Sequence, residues 1–471
     1  MNYAQAYQLS TRLWSESILP VLEEYIRIPA KSPHFDADWV TNGHLEDATE
    51  LTRAWCAAQP LEGMSVEVHR LPGLTPLLFV EVAGTGQGTV LLYGHTDKQP
   101  EMTGWDADLG PWKPLLRDGK LYGRGGADDG YAAFASLAAL NLLRDQGIPF
   151  SRCVMLIENS EESGSDDLPP YLDLLAGRIG QPELVIGLDS GCGNYEQLWV
   201  TSSLRGVLNG ELRVDVLAEG VHSGDAGGVV PSSFRILRQL LERLEDSATG
   251  AILLPELNCA VPAARIAQAR AAADVLGRSV FEKFPRIPGL QPPTQDAAEL
   301  ILNRSWRPAL AVTGADGFPA IVDAGNVQRP GSGVKLSLRL PPKVDGQQAA
   351  QRVKETLEAD PPCGARVRFT PHQVNSGWEA PALAPWFAEA LADASLGSFN
   401  KPVMHMGEGV TIPFISMLGD YYPGAQSLIT GVLGPKSNAH GPNEFLHIDM
   451  AQRLTVAIGA VIAAHHRQFN P

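Results

Sequence analysis

The chain has 471 residues, of which 44% are hydrophobic and 19% charged, a composition that excludes intrinsic disorder and allows more than one domain. The formal net charge of −16 argues against a nucleic-acid-binding protein, which needs a basic surface. The five cysteines form no CxxC pair, and the amino-terminal segment lacks the basic start and apolar run of a signal peptide. No apolar stretch is long enough to span a membrane, so the sequence predicts a cytoplasmic protein with reduced thiols.

The first part of the chain alternates between helix and strand patterns. Residues 2–27 are expected to form one amphipathic helix. Strands are predicted at residues 65–71, 76–83 and 89–93, followed by a helix at 130–146 and strands at 153–158 and 183–188. This alternation predicts an α/β fold with a mixed, mostly parallel sheet flanked by helices. Active groups in such sheets lie at the carboxyl ends of the strands.

The pattern changes near Leu204. Half-exposed strands are predicted at residues 206–216, 333–340 and 365–370, with amphipathic helices at 232–245 and 347–359 and a Pro-rich stretch at 284–293 between the two halves. From Ala380 a helix, a strand and a long closing helix from about Ile448 complete the chain. We therefore expect an α+β domain, residues 207–382, inserted into a catalytic domain formed by residues 1–206 and 383–471.

Five short segments place acids and histidines at the ends of predicted elements: residues 95–97, 123–130, 158–165, 188–191 and 437–444. Residues two apart on an extended backbone point the same way, so Asp97 can fix the tautomer of a metal-binding His95. In the pair Glu161 and Glu162, one carboxylate can bind metal while the other accepts a proton from bound water. Each segment alone is also compatible with an ordinary loop, a capped turn or a surface pair of acids.

Two histidines and three carboxylates, one of them shared, would form two tetrahedral zinc sites. The five segments, in this order, resemble the signature of the co-catalytic zinc peptidases, a family that includes carnosinases, aminoacylase, acetylornithine deacetylase, succinyl-diaminopimelate desuccinylase and the glutamate carboxypeptidases. Residues 121–125, 161–165 and 221–224 are most similar to the carnosinase-type dipeptidases. The resemblance covers nearly the whole chain. It implies a zinc-exopeptidase-like fold with an inserted lid domain through which two copies pair as a homodimer.

The resemblance also implies the roles of the site residues. One metal would be bound by His95 and Asp189, the other by Glu162 and His440, and Asp128 would bridge both. Zinc is the expected metal, and these ligands also accept manganese and cobalt. Asp97 would orient His95, and Glu161 would be the general base. The family often has a cis peptide after its bridging aspartate, here between residues 128 and 129, and its usual lysine after the aspartate pair is replaced by Gly130.

Four further residues are expected to contact the substrate. His222 would donate a hydrogen bond to the substrate oxygen in the active site of the partner subunit, and the alternative is that it only caps its own loop. Arg339 would hold a substrate carboxylate, a task that suits its planar and always-charged guanidinium. Asn326 and Thr411 match positions that line the substrate pocket in the family.

The expected function is metal-dependent hydrolysis of the amide bond of dipeptides or small peptides. The alternative within the family is an N-acyl amino acid deacylase or a carboxypeptidase. The family resemblance implies that dipeptidases and aminopeptidases have Asp at the position of Asp189, whereas deacylases and carboxypeptidases have Glu. Asp189 therefore favours the first interpretation. A third possibility, a non-catalytic binding protein on this fold, predicts a missing ligand or a missing base, and every position of the expected site is filled.

Overall fold

The structure is a computed structural model that describes all 471 residues. Its strands, in chain order, are β1 (Met64–His69), β2 (Leu77–Val82), β3 (Thr89–His95), β4 (Leu115–Arg117), β5 (Lys120–Tyr122), β6 (Arg152–Glu158), β7 (Leu184–Gly187), β8 (Trp199–Leu204), β9 (Gly206–Asp215), β10 (Val221–His222), β11 (Ala309–Asp316), β12 (Val327–Gln328), β13 (Gly331–Leu340), β14 (Arg366–Asn375), β15 (Trp378–Glu379), β16 (Met404–Glu408), β17 (Gln426–Ile429) and β18 (Phe445–His447). The helices are α1 (Tyr3–Leu13), α2 (Leu19–Arg27), α3 (Trp39–Asn42), α4 (His44–Ala57), α5 (Ala132–Asp145), α6 (Leu168–Ile179), α7 (Ser223–Ala226), α8 (Ser233–Leu241), α9 (Ala263–Leu276), α10 (Ser279–Glu282), α11 (Ala297–Ser305), α12 (Gly346–Glu358), α13 (Pro385–Phe399), α14 (Pro413–Tyr421) and α15 (Ile448–Phe469).

A six-stranded sheet with the order β1-β2-β6-β3-β7-β17 forms the centre of the molecule. Strands β6, β3, β7 and β17 run parallel, whereas β1 and β2 pair antiparallel at one edge. The predicted α/β class with a mixed, mostly parallel sheet is therefore confirmed. The four parallel strands end at the same edge, where the loops that carry the predicted site residues begin.

Alternate side chains of the central sheet enter two different hydrophobic cores. Leu92 and Ile157 pack with α5 and α15 in a cluster of 61 buried residues. Leu91 and Leu156 point to the opposite face and pack with α6 and α14 in a cluster of 21 buried residues. Because both faces are covered, the strands are nearly continuous apolar runs, which is typical of parallel sheets.

A four-stranded antiparallel sheet with the order β11-β13-β9-β14 lies within the residues predicted to form the insert. Helices α8 and α12 cover one face, and a third core of 21 buried residues fills the space between them. On β13, Leu336 and Leu338 enter this core, while Lys335 and Arg339 point to the open face. Because successive side chains of β13 point to opposite faces of the sheet, one face is buried and the other is polar.

One part of the predicted insert packs away from this sheet. Helices α9 and α11 contact β16, and Ala272, Ile301 and Trp306 contribute to the first core. The sequence gives little sign of this arrangement, because the Ala-rich helix α9 has no distinct apolar stripe. The domain boundaries at residues 206 and 382 stay a prediction.

The helix expected over residues 2–27 contains a π-helical segment, Trp14–Ile18, between α1 and α2. The N–H of Leu19 donates to the carbonyl of Trp14, five residues back, and Pro20 has no N–H with which to continue the α-helical ladder. None of the helices of the molecule combines the length and the apolar character that a transmembrane span requires.

Candidate metal centre

The carboxyl edge of the central sheet carries a cluster of acids and histidines. β3 ends at His95, and the loops after β6 and β7 carry Glu162 and Asp189. Asp128 comes from the loop before α5, and His440 comes from the loop after β17. Because β6, β3 and β7 are parallel neighbours, their ends bring these side chains together, as expected for an α/β sheet.

Two groups of potential ligand atoms share the carboxylate of Asp128. In each group, His95 with Asp128 and Asp189, and Asp128 with Glu162 and His440, the ligand atoms lie within 4.8 Å of one another. His95 Nε2 is 3.5 Å from Asp128 Oδ1 and 3.8 Å from Asp189 Oδ2. His440 Nε2 is 3.0 Å from Asp128 Oδ2 and 3.2 Å from Glu162 Oε2. The two oxygens of Asp128 therefore face different groups, which is the geometry of a bridging ligand.

The chemistry of this cluster fits bound cations. His95 Nε2 and Glu162 Oε1 are buried and have no hydrogen-bond partner, although an unsatisfied buried polar atom costs about 1–3 kcal/mol. The carboxylates of Asp128, Glu161 and Asp189 are also nearly inaccessible to solvent. Carboxylates in one pocket repel each other unless positive charge offsets them. Nitrogen and carboxylate ligands of this kind suit zinc, manganese and cobalt.

The protonation equilibria reflect the density of negative charge in the cluster. Burial, and then the charge of Asp189, raise the pKa of Glu161 well above its ordinary value. Burial alone would lower the pKa of His440, but the charge of Glu162 and the hydrogen bond to Asp128 raise that pKa to about 12. A metal ion has to displace such a proton, so metal binding and proton release are coupled here.

Asp97 connects the loops of the cluster. Its Oδ1 lies 3.3 Å from His95 Nδ1, so the other ring nitrogen, Nε2, faces Asp128 and Asp189. Its two oxygens accept hydrogen bonds from the backbone N–H groups of Glu161, at 3.2 Å, and Glu162, at 3.0 Å. Asp97 thus holds the end of β3 against the loop after β6.

The peptide bond between Asp128 and Asp129 is cis, as expected. Gly130 follows, and a Cβ atom at that position would lie 2.1 Å from Cε1 of Tyr25. The ring of Tyr25 therefore fills the space that a side chain at position 130 would need. This close contact explains how the chain accommodates glycine where the family usually has lysine.

A buried ion pair that is absent from the predicted set joins two loops of the cluster. Arg124 and Glu444 pair with 1% and 0% of their side chains exposed. Glu444 Oε1 also accepts the N–H of Gly125 at 2.9 Å, and Arg124 Nη2 donates to the carbonyl of Gly441 at 3.0 Å. The pair thus ties the loop of Asp128 to the loop of His440.

Gln99 is a second residue that the sequence analysis does not identify. Its Nε2 donates to Glu162 Oε2 at 2.7 Å and so restricts the orientation of that carboxylate. Gln99 lies two residues beyond Asp97, in the same extended segment as His95. Its spacing from His95 and Asp97 is the sequence signal that could have identified it, because residues two apart on an extended segment point the same way.

The profile of Peptidase family M20/M25/M40 matches residues 91–464 of the chain. The chain belongs to this family. A cysteinylglycine-S-conjugate dipeptidase of Corynebacterium striatum is 28% identical over 426 residues, which cover 86% of this chain and 89% of that protein. The human Beta-Ala-His dipeptidase is 29% identical over 296 residues, covering 60% of this chain and 56% of that protein.

Solved structures of dipeptidases share the fold of this M20/M25/M40 peptidase. The di-peptidase Dug1p from Saccharomyces cerevisiae aligns with a TM-score of 0.78 and 20% identity over 99% of both chains. Human carnosine dipeptidase 1 aligns with a TM-score of 0.77 and 20% identity, also over 99% of both chains. The family resemblance seen in the sequence is confirmed, and so is the fold that it implies.

Two of the predicted substrate contacts in this peptidase lie together. Arg339 Nη1 donates to Thr411 Oγ1 at 3.2 Å, and the Thr411 hydroxyl donates to the carbonyl of Arg205 at 2.6 Å. Burial lowers the pKa of Arg339, and no acid of the chain opposes that effect. Arg339 is therefore a half-buried guanidinium held by a hydroxyl, with its charge available to an anionic ligand.

The other two predicted contacts lie, like Arg339, within the residues predicted to form the insert. His222 in β10 pairs with β12, and the carbonyl of Asn326 accepts the N–H of Ser223 at 2.9 Å. The ring of His222 is exposed, and its Nδ1 accepts the N–H of Gly224 at 3.1 Å. Within one chain, neither residue belongs to the two groups of ligand atoms.

Proposed function

We propose that this peptidase hydrolyses the amide bond of dipeptides at a centre of two divalent metal ions, with Glu161 as the general base. The observation that carries the proposal is the Asp128 carboxylate, which is shared between two groups of ligand atoms. The family membership and the relatives named as dipeptidases support dipeptides as the substrate class.

The five residues of the cluster would divide between the two ions. His95 and Asp189 would bind one ion, Glu162 and His440 the other, and Asp128 would bind both. When bound, the ions supply Lewis acidity, which polarises the scissile carbonyl and makes water a stronger acid. Zinc is the metal that we propose, and manganese and cobalt are the alternatives that the same ligands accept.

Glu161 is the residue that we propose for proton transfer. Its Oε2 lies 4.0 Å from His95 Nε2, yet it belongs to neither group of ligand atoms. Its carboxylate would therefore lie beside the reacting centre without binding a metal ion. Glu161 would accept the proton of the attacking water and deliver it to the nitrogen of the leaving amine. In the metal-free protein, burial and then the charge of Asp189 raise the pKa of Glu161.

Arg339 is the proposed binding residue for the free carboxylate of the dipeptide. Its guanidinium is fixed by Thr411 and has no acidic partner in the chain, so a substrate carboxylate would complete its interactions. Thr411 would act on the substrate in two ways, by positioning Arg339 and by lining the pocket. If Arg339 binds the carboxylate while the metal ions bind the scissile amide, short substrates would be favoured, because both groups would belong to one small molecule.

We also propose that two copies pair through the insert, residues 207–382, as a lid and dimerisation domain. Strand β11 is an edge strand with unpaired backbone groups along one side. Val229, Ile321 and Val322, all within residues 207–382, are apolar side chains that are 81%, 96% and 89% exposed and that a contact between two copies would cover. In such a dimer, His222 and Asn326 would contact the substrate bound to the partner subunit.

The five cysteines support a cytoplasmic location as part of the proposal. All five are free thiols, and Cys56, Cys153 and Cys192 are buried. A protein of an oxidising compartment more often has its cysteines paired as disulfides.

The test of the substrate class is a comparison of three kinds of compound with the metal-loaded protein: dipeptides, N-acetyl amino acids and longer peptides. We expect kcat/KM to be highest for dipeptides. Faster cleavage of N-acetyl amino acids would instead support the deacylase alternative, and release of carboxyl-terminal residues from longer peptides would support a carboxypeptidase. A protein that binds metal but cleaves none of them would support a binding function.

The test of the shared active site is complementation between inactive subunits. Glu161→Gln and His222→Ala subunits are mixed under conditions of proven subunit exchange. About half of the dimers are then mixed, and each holds one site with both defects and one with neither, so about a quarter of wild-type activity should return. No return of activity would place His222 in the site of its own chain or in no site at all.

A further inference from the structure

Lys98 is a fully buried lysine directly after Asp97, and neither the predicted site nor the proposed reaction uses it. Its Nζ donates to the carbonyls of Tyr25, at 2.6 Å, and Ile28, at 2.8 Å. Both carbonyls belong to the carboxyl end of α2, whose dipole favours a positively charged group, whereas burial lowers the pKa of Lys98 well below its ordinary value. The Nζ also lies 3.8 Å from the centroid of the Tyr25 ring, within the range of a cation–π contact.

The alkyl part of the Lys98 side chain packs closely against the loop that contains Gly125. A Cβ atom on Gly125 would lie 2.8 Å from both Cγ and Cε of Lys98. Gly125 also has a φ of +81°, a conformation that side chains other than glycine rarely adopt. The loop that carries Asp128 can therefore pass over Lys98 only with glycine at this position. Lys98 consequently lies between the end of α2 and the loop that carries Asp128.

The end of α2 and the segment after it make further contacts with the loops after β3 and β6. The hydroxyl of Tyr25 donates to the carbonyl of Thr96 at 3.0 Å, and the N–H of Ser32 donates to the carbonyl of Lys98 at 3.0 Å. Ser32 Oγ also lies 2.5 Å from Oγ of Ser163, the residue after Glu162. These bonds fix the backbone on both sides of Asp97.

We propose that Lys98 is a positioning residue, which anchors residues 95–99 to the end of α2 and thereby sets the affinity of the peptidase for its metal ions. This inference rests on the proposed metal centre. The segment contains His95, the Asp97 carboxylate that fixes its ring, and Gln99, which orients Glu162. A lysine bound to two carbonyls holds this segment in place before any metal arrives, so less conformational freedom is lost when the metal binds.

The ring of Tyr25 links this anchor to the glycine at position 130. It occupies the space beside Gly130 and at the same time lies under Nζ of Lys98. A larger residue at position 130 would displace the ring and with it one side of the Lys98 environment. Glycine at position 130, where the family usually has lysine, therefore leaves the space for the Tyr25 ring that contacts Lys98.

The consequence for Lys98→Met follows from these contacts. The carbonyls of Tyr25 and Ile28 each accept a backbone N–H as well, from Ile28 at 3.1 Å and from Ala30 at 2.9 Å, so neither is left unbonded. Methionine keeps most of the apolar contacts of the lysine stem. We therefore expect the variant to fold. Changes to groups that orient metal ligands lower metal affinity by about 10–100-fold, and we expect a loss in this range.

The experiment is competition for zinc between the metal-free protein and a chromophoric chelator, with wild type, Lys98→Met and Lys31→Met compared. Lys31 is a matched control, because it lies opposite Lys98 in a β-bridge but its Nζ pairs with the partly exposed Glu101 at 3.2 Å. We expect Lys98→Met to lower the affinity and Lys31→Met to leave it unchanged. With excess zinc, Lys98→Met should recover kcat and show the wild-type KM for a dipeptide.

These readouts separate positioning from a general loss of stability. A lesion that only destabilises the fold reduces the amount of folded protein and leaves the metal affinity of the folded fraction unchanged. If Lys98→Met does not fold, Lys98→Gln, which keeps a donor but is too short to reach both carbonyls, should show the same loss of affinity. If a folded Lys98 variant binds zinc with the wild-type affinity, the anchoring role of Lys98 is wrong but the proposed metal centre is not affected. A wild-type protein that binds no metal would overturn the proposed function itself.

Discussion

Arg124→Met removes the positive half of the buried ion pair with Glu444. The two side chains are 1% and 0% exposed, so water cannot replace the lost partner. Removal of one member of such a pair costs about 3–5 kcal/mol, because the other charge stays buried without compensation. Burial already raises the pKa of Glu444 to about 7 in spite of Arg124. Without Arg124 this pKa rises further, so Glu444 takes up a proton at neutral pH. We therefore expect the free energy of unfolding to fall by about 3 kcal/mol, the lower end of this range.

The assay is urea unfolding of the metal-free protein, with the exposed pair of Arg117 and Asp108 as a control. Those side chains are 40% and 57% exposed, and Arg117→Met should change the free energy of unfolding by only about 0–1 kcal/mol. The double variant Arg124→Met with Glu444→Gln should recover part of the loss, because glutamine is neutral without taking up a proton and its oxygen can still accept the N–H of Gly125.

The pair should also affect the metal centre, because it ties the loop of His440 to the loop of Asp128. Arg124→Met should weaken metal binding in addition to stability. A loss of stability no larger than that of Arg117→Met would refute this assignment. A double variant as unstable as Arg124→Met would also refute it, since the cost would then not arise from the carboxyl group left without its partner.

Three further predictions concern the base, the substrate carboxylate and a buried acid. Glu161→Gln should keep both metal ions and lower kcat by about 10²–10⁴-fold, and loss of metal from this variant, with retention in Glu162→Gln, would reverse the two roles. Arg339→Lys should raise KM strongly for free dipeptides and little for amidated ones, because lysine loses the two-pronged geometry, whereas equal effects would contradict carboxylate binding. Burial raises the pKa of Glu158 from 4.5 to about 7. The folded state then holds a proton that the unfolded chain releases, so the stability contributed by Glu158 should fall as the pH rises between these values. Glu158→Gln should flatten this dependence in urea unfolding, and an unchanged slope would contradict the assignment.

The elements that the sequence predicts well are those with a strong local pattern. The apolar runs of β3, β6 and β7 identify the parallel sheet, and each run is followed directly by residues of the metal cluster. The closing helix begins at Ile448, as expected. These features depend on side chains close together in the sequence, so their periodicity is visible without the structure.

Other features depend on contacts between distant parts of the chain. Arg124 and Glu444 are 320 residues apart, and no local pattern joins them. Helix α9 lies within the predicted insert but packs into the first core, which its Ala-rich sequence does not indicate. Lys98 appears in the sequence as an ordinary charged residue beside Asp97, and only the fold shows that α2 buries it. Burial and long-range pairing are properties of the tertiary structure, so the sequence alone does not reveal them.

The central claim is that one carboxylate, that of Asp128, serves two metal ions. The most direct measurement is metal content and affinity for the wild-type protein, Asp189→Ala and Asp128→Ala, by elemental analysis and chelator competition. The wild type should bind two ions per chain. Asp189→Ala should lose affinity for one ion, whereas Asp128→Ala should lose affinity for both, because its oxygens face both groups of ligand atoms. An Asp128→Ala protein that is folded and binds two ions with wild-type affinity would contradict the account.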